Sequence, residues 1–291
     1  MKKTDYIFIL NTHPSYYKFI FLILMLNRYK RGKIMIKAIK LTAITLTLIL
    51  FLGTSHLLAE EERPEASVDI GAFSKYVWRG YEFSDSSIVI QPSVTVSYKG
   101  FSFNMWSNLD TDVDDDTDDE QKLNETDLTL SYAKNFNAVS VELGYIYYGL
   151  DSAQDSEEFY LSVGIETLLS PCVTIYRETA HLPAWYINFG ISHSIALPKE
   201  ISLDLSASAG YLYSDDDSIT EHSSTDKYRE FHDGLISMSA TIPVDKYIAV
   251  TPMIAYSFPL SNKADDHISG VNGFTDDSDY LFGGVTISMA F

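Results

Sequence analysis

The residues best suited to chemistry form an acidic run of eight carboxylates within eleven positions: Asp110, Asp112, Asp114, Asp115, Asp116, Asp118, Asp119 and Glu120. The first three match positions 1, 3 and 5 of an EF-hand loop, where carboxylate oxygens bind Ca²⁺. The match then fails, because Asp115 replaces the turn glycine and Gln121 replaces the bidentate glutamate. Blocks of like charge are usually solvated. We therefore predict no metal site, but a solvated acidic loop that associates weakly with divalent cations.

Nucleophilic and redox chemistry find little support in the sequence. The single cysteine, Cys172, excludes an internal disulfide and any CxxC motif. His193 lies between Ser192 and Ser194, and a serine–histidine pair could serve a membrane-embedded lipase. However, no GxSxG motif occurs, and a histidine among serines is common by chance. We predict no enzyme, no catalytic residue and no cofactor, and we keep the lipase as a third alternative.

The charge of the chain is distributed unevenly. The first 59 residues contain nine Lys and Arg and one acid, Asp5. Of the 21 basic and 40 acidic residues in the whole chain, this leaves 12 and 39, a net charge of −27 for the remainder. A surface so acidic would repel phosphates, so we predict that the protein does not bind nucleic acid.

The N-terminal residues have the parts of an export signal. Met35 begins a short basic segment, an apolar stretch runs from Leu41 to Gly53, and Ala59 offers a small residue for cleavage. We predict a signal peptide over 35–59, a mis-assigned extension over 1–34, and a mature domain over 60–291. The alternative for 1–34 is an extended signal or an inner-membrane anchor.

The last eleven residues show the pattern that recurs along the mature chain. From Leu281 to Phe291, apolar residues stand at alternate positions, which predicts a strand with one apolar face. The ending resembles the C-terminal signal of bacterial outer-membrane proteins, which the barrel-assembly machinery would bind, and its residues are Val285, Ile287, Met289 and Phe291. A soluble β-sandwich with an exposed edge strand is the alternative, but such an edge would be prone to aggregate.

The same alternation predicts twelve strands: Ser67–Arg79, Ile88–Tyr98, Phe101–Leu109, Asp127–Ala133, Val139–Tyr148, Glu157–Thr167, Cys172–Glu178, Ala184–Ile195, Ile201–Leu212, Gly234–Ile242, Tyr247–Phe258 and Tyr280–Phe291. Their connections alternate between short turns, such as Lys99-Gly100, and longer loops, such as Tyr213–Asp233. An even strand number with this alternation is typical of bacterial outer-membrane barrels. We therefore predict an all-β fold, a transmembrane antiparallel up-and-down β-barrel of about 12 strands.

Aromatic residues and prolines refine this prediction. Two girdles are expected at the strand ends, one from Tyr98, Phe101, Tyr132 and Phe291, the other from Trp78, Tyr147, Phe159 and Tyr211. Pro92 and Pro252 fall inside strands, where proline removes a ladder donor. We expect a bulge or a missing hydrogen bond at each proline.

Several segments resemble the TorF family of outer-membrane porins, also grouped as Gcw_chp. They are KYVWRG at 75–80, QPSVTVSY at 91–98, FSFNMW at 101–106 with NLDTD at 108–112, and GISHS at 190–194. The resemblance spans most of the mature chain. It implies a barrel and a pore, and it assigns neither a catalytic residue nor a substrate.

The positions that face away from the apolar side predict the lining of the lumen: Asp69, Lys75, Arg79, Gln91, Asn104, Glu142, Glu158, Glu166, Asn188 and Asp204. We predict an integral protein of the bacterial outer membrane, in contact with lipid and lipopolysaccharide. Its function would be passive diffusion of small polar solutes through a pore that favours cations. The alternatives are a plugged lumen and a non-conducting structural or scaffold barrel.

Overall fold

A computed structural model describes residues 63–84, 87–111, 122–151, 153–221, 224–271 and 276–291. The predicted extension over 1–34 and the signal peptide over 35–59 lie outside these residues, and so do all members of the acidic run except Asp110. The elements described are β1 (Glu65–Phe73), β2 (Val77–Trp78), β3 (Tyr81–Glu82), β4 (Val89–Tyr98), β5 (Phe101–Asp110), β6 (Lys122–Phe136), β7 (Val139–Leu150), β8 (Ser156–Ile165), β9 (Cys172–Glu178), β10 (Ala184–Ala196), β11 (Ser202–Ser214), β12 (Arg229–Pro243), β13 (Ile248–Pro259), α1 (Asn262–Val271) and β14 (Tyr280–Ala290).

Twelve of these strands close into one antiparallel barrel. Each strand from β4 to β14 pairs with its neighbours in the sequence, and β1 pairs with both β4 and β14. The closing ladder runs from Ser67 opposite Ala290 to Phe73 opposite Gly284. Closure removes free strand edges, which a sheet surrounded by hydrocarbon cannot tolerate. The predicted twelve-stranded barrel is confirmed.

The strands alternate between an apolar outer face and a polar inner face. Large apolar side chains on the outer face are exposed, among them Val96, Phe103, Leu130, Leu161 and Ile287. A water-soluble protein rarely exposes contiguous apolar patches beyond a few hundred Å². The face is therefore suited to lipid, and the usual relation between a buried apolar core and an exposed polar surface is reversed in this barrel.

The aromatic girdles are largely as predicted. At the end of the short turns, the rings of Phe101 and Tyr132 lie 4.8 Å apart, centre to centre. At the end of the long loops, the rings of Tyr211 and Phe231 are 5.3 Å apart. Trp78 is an exception, because it lies inside the barrel, 6.0 Å from the ring of Tyr148.

Each proline interrupts the hydrogen-bonded pairing of its strand with one of the two neighbouring strands. The pairing of β4 with β5 passes from Ile90 directly to Ser93, so Pro92 has no partner on β5. The pairing of β12 with β13 likewise passes from Val250 to Met253 and skips Pro252. Each proline keeps its partner on the other neighbouring strand. The predicted ladder defects are confirmed, and they follow from the missing amide hydrogen of proline.

Three strands differ from their predicted bounds by more than two residues at one or both ends. Strands β6 and β12 begin five residues earlier than predicted, at Lys122 and Arg229. The first residues of both strands are mostly polar. They therefore lack the alternation of apolar residues that marks a lipid-facing strand. Strand β1 ends at Phe73, six residues before the predicted end at Arg79, because the chain then turns into the barrel.

In the part of the chain that the structure describes, no helix is long and apolar enough to cross a membrane. The helix α1 has ten residues, and its buried side chains are Ala264, His267 and Ile268. Together with Tyr280, its residues Ala264 and Ile268 form a small apolar cluster near the long loops. Val77 and Tyr81 pack against this cluster. A helix at the loop end therefore contributes to the filling of the barrel.

The outer face gives the first prediction. Leu161 lies near the middle of β8, between its ladder partners Leu143 and Ile175. The substitution Leu161→Arg should destabilise the barrel in lipid vesicles by about 2–4 kcal/mol, because a guanidinium near the bilayer centre loses its hydration. The measurement is the urea dependence of unfolding. Leu161→Ala is the control for lost packing, and equal effects of both substitutions would contradict a lipid-facing position.

Candidate functional site

The inner face of the barrel is lined by hydroxyl and amide groups that bond to one another. The Asn104 side chain donates to the hydroxyls of Ser93 and Thr95, both at 2.8 Å. The hydroxyls of Ser206 and Ser237 lie 2.7 Å apart on neighbouring strands. Such pairs satisfy the polar groups of the wall within the sheet. The wall is therefore a polar surface suited to water or a polar solute.

After β1, residues 74–84 fold into the lumen, and we call them the inner hairpin. Its short strands β2 and β3 pair Val77 with Glu82 and Trp78 with Tyr81. The turn between them consists of Arg79 and Gly80, with φ of 48° and 81°. Two central residues with positive φ are the requirement of a type I′ turn. The sequence thus places an arginine at the tip of a tight turn inside the barrel.

The base of the inner hairpin is fixed near the closing strands. The Ser74 amide donates to the Gly283 carbonyl at 2.9 Å, and the Tyr76 amide donates to the Ser84 hydroxyl at 2.8 Å. The Tyr76 ring packs 5.5 Å from Trp106 on the inner face of β5. These contacts hold the base of the hairpin against the wall on the side of β5 and β14.

The tip of the inner hairpin reaches the opposite wall, where Arg79 meets Glu158. Its Nη1 and Nη2 atoms donate to the two carboxylate oxygens of Glu158 at 2.7 and 2.8 Å. The Tyr148 hydroxyl donates to the same carboxylate at 2.8 Å. The guanidinium also lies 4.3–4.4 Å from the ring centres of Trp78, Tyr176 and Tyr186. We call Glu158, Tyr148, Tyr176 and Tyr186 the wall cage.

The Arg79–Glu158 pair is buried, with 12% and 5% of the two side chains exposed. A buried ion pair is stable only when its geometry is good and further hydrogen bonds satisfy its remaining atoms. The bidentate contact, the tyrosine hydroxyl and the aromatic faces meet these conditions. The pair is therefore the main polar attachment of the hairpin tip to the wall of the barrel.

The other side of the hairpin tip contacts β12 and α1. A Cβ atom at Gly80 would lie 3.0 Å from Asp233 Cβ and 3.1 Å from Ile268 Cδ1, so the turn passes close to both elements. The Tyr81 ring lies 5.0 Å from the ring of His232. Lys263 of α1 contacts Glu221, in the loop before β12, at 2.8 Å and Glu230 on β12 at 3.0 Å. The hydrogen bonds to these carboxylates raise the pKa of Lys263 to about 12.

The described residues enclose open space in the lumen, which includes two cavities. One of about 590 Å³ opens at the short-turn end, and its lining includes Glu142 and Tyr160. The other, of about 510 Å³, lies beside the inner hairpin, and its lining includes Arg79. Asn104 and Thr129 line both cavities, so the two adjoin. The lumen is thus narrowed by the hairpin but not filled along its length.

The residues predicted to line the lumen fall into three groups. Asn104, Glu142 and Asn188 lie on the barrel wall and line a cavity. The other predicted wall residues are Asp69, Gln91, Glu158 and Asp204. The last three form side-chain hydrogen bonds, and Asp69 belongs to the ladder between β1 and β14.

The remaining three predicted positions lie outside the strands of the barrel wall, although Arg79 does line a cavity. Lys75 and Arg79 belong to the inner hairpin rather than to a strand, because β1 ends at Phe73. Lys75 pairs with Glu82 at 2.5 Å. Glu166 is exposed and follows β8, which ends at Ile165, so it lies in a turn.

Among the residues that surround Arg79, Glu158 was predicted from the sequence to line the lumen, but the neighbouring tyrosines were not. Tyr148, Tyr176 and Tyr186 stand at inward positions of their strands, and Asp127 and Asp233 line the same cavity. Each of these residues stands at a position that the period of two assigns to the inner face of its strand. However, nothing local in the sequence indicates that side chains from four strands meet one arginine.

The other candidate sites receive limited support. Asp110 is buried and accepts a hydrogen bond from the Ser87 hydroxyl, and among the described residues no group of His, Cys, Asp or Glu could hold a metal ion. The His193 Nδ1 atom lies 2.8 Å from the Leu168 carbonyl, while Ser194, on the opposite face of β10, donates to Asp204. Adjacent residues of a strand point to opposite faces, so His193 does not pair with either neighbouring serine.

The residues of the predicted assembly signal lie together on the outer face of β14. Val285, Ile287 and Met289 are exposed there, and Phe291 follows the strand with 67% of its surface exposed. The Phe291 amide donates to the Ala66 carbonyl at 2.9 Å, so the last residue completes the closing ladder.

Comparison with solved structures finds barrels of similar fold. The NanC porin aligns at a TM-score of 0.50 and 12% identity, over 76% of this chain and 98% of the porin. An outer membrane channel from Pseudomonas putida F1 aligns at a TM-score of 0.45 and 7% identity, over 82% of this chain and 100% of the channel. At these values the likeness to the NanC porin shows the fold alone, and the weaker likeness carries no further argument. No family model and no curated protein match the sequence, so the TorF resemblance stays a prediction.

The buried ion pair gives the second prediction. Arg79→Gln and Glu158→Gln should each destabilise the folded protein by about 3–5 kcal/mol, because each leaves one buried charge without its partner. The double variant should lose less free energy of unfolding than the two single variants lose together. The measurement is a double-mutant cycle on the free energy of unfolding.

The control is Arg177, which pairs with Asp215 at 2.5 Å where both side chains are partly exposed. Arg177→Gln should cost less than about 1 kcal/mol, as exposed pairs do. Strictly additive effects of the Arg79 and Glu158 substitutions would show that the two side chains do not depend on each other.

Proposed function

We propose that this protein is an outer-membrane channel for the passive diffusion of small polar solutes, with a preference for cations. The observation that carries the proposal is the closed barrel with two adjoining cavities in its lumen. The apolar outer face supports a location within a membrane, and the barrel architecture supports the outer membrane of a Gram-negative bacterium. The TorF resemblance of the sequence agrees with this proposal.

The dimensions of the lumen support small solutes. Eight-stranded barrels are filled by their own side chains, whereas barrels of sixteen strands leave an aqueous channel. Twelve strands lie between these limits, and the inner hairpin reduces the lumen further. Cavities of about 590 and 510 Å³ have the size of sites for small molecules. Large solutes would be excluded at the hairpin.

The charges in the lumen support a preference for cations. Glu142 lines the short-turn cavity. The positive charge of Arg79 is opposed by Glu158 at hydrogen-bonding distance. Acidic groups on low-dielectric walls concentrate cations. Acidic residues over 110–120 would add to this effect at the pore mouth, in weak association with divalent cations.

The proposal includes partners for the outer surface. Lipid and lipopolysaccharide would contact the apolar face. The barrel-assembly machinery would bind the C-terminal strand through Val285, Ile287, Met289 and Phe291. No nucleic acid, cofactor or catalytic residue has a place in this function.

A second candidate is a non-conducting structural or scaffold barrel. It is favoured by the inner hairpin, whose tip reaches Glu158 on the opposite wall, and by α1 at the loop end, which packs near the hairpin. In this case the lumen would be closed permanently. The two candidates differ in one measurable property, ion flow through the inserted barrel.

The third prediction is single-channel conductance in a planar bilayer with a salt gradient. The purified protein should give discrete current steps. Their reversal potential should be shifted towards the equilibrium potential of the cation, because Glu142 lines the short-turn cavity. Circular dichroism and heat-dependent gel migration would establish that the barrel is folded. A folded, inserted protein without steps would exclude the channel and favour the structural barrel.

The fourth prediction concerns the source of the selectivity. A unit charge about 5 Å from an ion in water contributes about 0.8 kcal/mol, or about fourfold in ion occupancy. Because the same charge attracts cations and repels anions, Glu142→Gln should lower the cation-to-anion permeability ratio by up to about sixteenfold. Glu200→Gln, in an exposed short turn, is the control and should leave the ratio unchanged. An unaltered ratio in the Glu142 variant would contradict its role in selectivity.

A further inference from the structure

We propose that the wall cage is a binding site for guanidinium and alkylammonium groups, that Arg79 occupies it as an internal ligand, and that a solute with such a group takes its place. The site deepens the proposed function by naming a class of solute. Its existence does not depend on conduction. Only the consequence, a wider passage when Arg79 is displaced, rests on the proposed channel.

The composition of the cage is that of a cation site. Glu158 offers both carboxylate oxygens to one planar group, and Tyr176 and Tyr186 present ring faces 4.3–4.4 Å from the guanidinium carbon. A carboxylate combined with aromatic faces is the arrangement that recognises guanidinium and quaternary or alkylated ammonium ions. The same groups would bind a free cation of this type.

The cage belongs to the barrel wall and not to the hairpin. Its four residues come from the neighbouring strands β7, β8, β9 and β10. Tyr176 and Tyr186 face each other in the ladder of β9 and β10, and the Tyr186 hydroxyl donates to Asp233 at 2.8 Å. The Tyr148 hydroxyl holds the Glu158 carboxylate at 2.8 Å. The cage therefore keeps its shape when the Arg79 side chain leaves.

The position of Arg79 is one that the backbone alone does not favour. Its φ of 48° lies in the left-handed region, where Asn, Asp and Gly are preferred in type I′ turns. An isolated two-stranded hairpin is at best marginally stable, and β2 and β3 have two residues each. The contacts of the arginine side chain with the cage offset this local cost. Arg79 thus behaves as a tethered ligand of the wall.

A solute has a route to the cage. Arg79, Tyr148, Tyr176 and Tyr186 all line the cavity of about 510 Å³ beside the hairpin. This cavity adjoins the one at the short-turn end through Asn104 and Thr129. The side chains of Asp127 and Asp233 line the same cavity. A small guanidinium or alkylammonium solute can therefore reach the faces of the cage.

The test is chemical rescue in the Arg79→Ala variant of the whole protein, folded in detergent micelles. Guanidinium chloride is added at millimolar concentrations, well below the denaturing range, and the thermal unfolding midpoint is recorded. We expect a saturable rise of the midpoint in Arg79→Ala, because a ligand that binds only the folded state stabilises it. Wild type should need at least about tenfold more guanidinium, because Arg79 must first release the site.

Matched controls separate the site from general effects of the salt. Sodium chloride and urea at equal concentrations should give no saturable rise. Arg177→Ala removes an arginine that also pairs with a carboxylate and lies 4.9 Å from a tryptophan ring, but outside the lumen. It should respond to guanidinium like wild type. The double variant Arg79→Ala with Glu158→Gln should lose the response.

Absence of a saturable response in folded Arg79→Ala would overturn the proposal, as would an equal response in Arg177→Ala or its persistence in the double variant. If Arg79→Ala does not fold, Arg79→Lys is titrated instead. It keeps the charge opposite Glu158 but leaves part of the ring faces open. A folded Arg79→Lys protein without a guanidinium-specific response would also overturn the proposal.

Planar-bilayer recordings distinguish this site from the channel itself. We expect a larger conductance for Arg79→Ala than for wild type, and a fall towards the wild-type value when guanidinium is added. Binding in micelles without any conductance would overturn the channel and leave the cation site. Conductance of Arg79→Ala without guanidinium binding would overturn the cation site and leave the channel.

Discussion

Backbone amides and carbonyls in hydrocarbon must find partners within the protein, since each unpaired group costs several kcal/mol. The pairing of β1 with β14 meets this requirement, because it joins the first and last strands of the sheet. The hydrogen bonds between Ala66 and Phe291 extend this closing ladder to the last residue of the chain. The other features of the molecule, the lipid-facing surface and the enclosed lumen, depend on this closure.

Closure also creates a volume that the wall side chains cannot fill. The chain partly fills it with its own residues, since the inner hairpin crosses from the side of β1 towards β7–β10 and packs near α1. Inside a barrel, an inserted segment must satisfy its polar groups without bulk water. The bidentate Arg79–Glu158 contact does so at the far wall, and Lys75 with Glu82 does so within the hairpin. The narrowed lumen is thus a consequence of polar pairing rather than of apolar packing alone.

Such an arrangement allows a channel to be selective without a rigid plug. An arginine bound by one carboxylate and several rings is stable in place, but its binding groups are the same as those that a cationic solute would use. In the proposed channel, Glu142 of the adjoining cavity would raise the local concentration of such solutes. The constriction and the proposed class of solute would then have one common physical basis.

The sequence by itself determined the number and order of the barrel strands and, within these strands, the face that most residues present. These are local properties, because lipid on one side and a polar lumen on the other impose a period of two along every strand. The two ladder gaps were also predictable, since Pro92 and Pro252 lack an amide hydrogen. The early starts of β6 and β12 were not, because their polar residues lack that period.

Only the tertiary structure decided where the chain leaves the wall. Tyr76 and Trp78 continue the alternation of β1, yet both lie inside the barrel against Trp106 and Tyr148. The wall cage likewise unites residues of four strands around Arg79. Contacts between residues so distant in the chain leave no local pattern, because their energy arises only after closure has brought the opposite walls together.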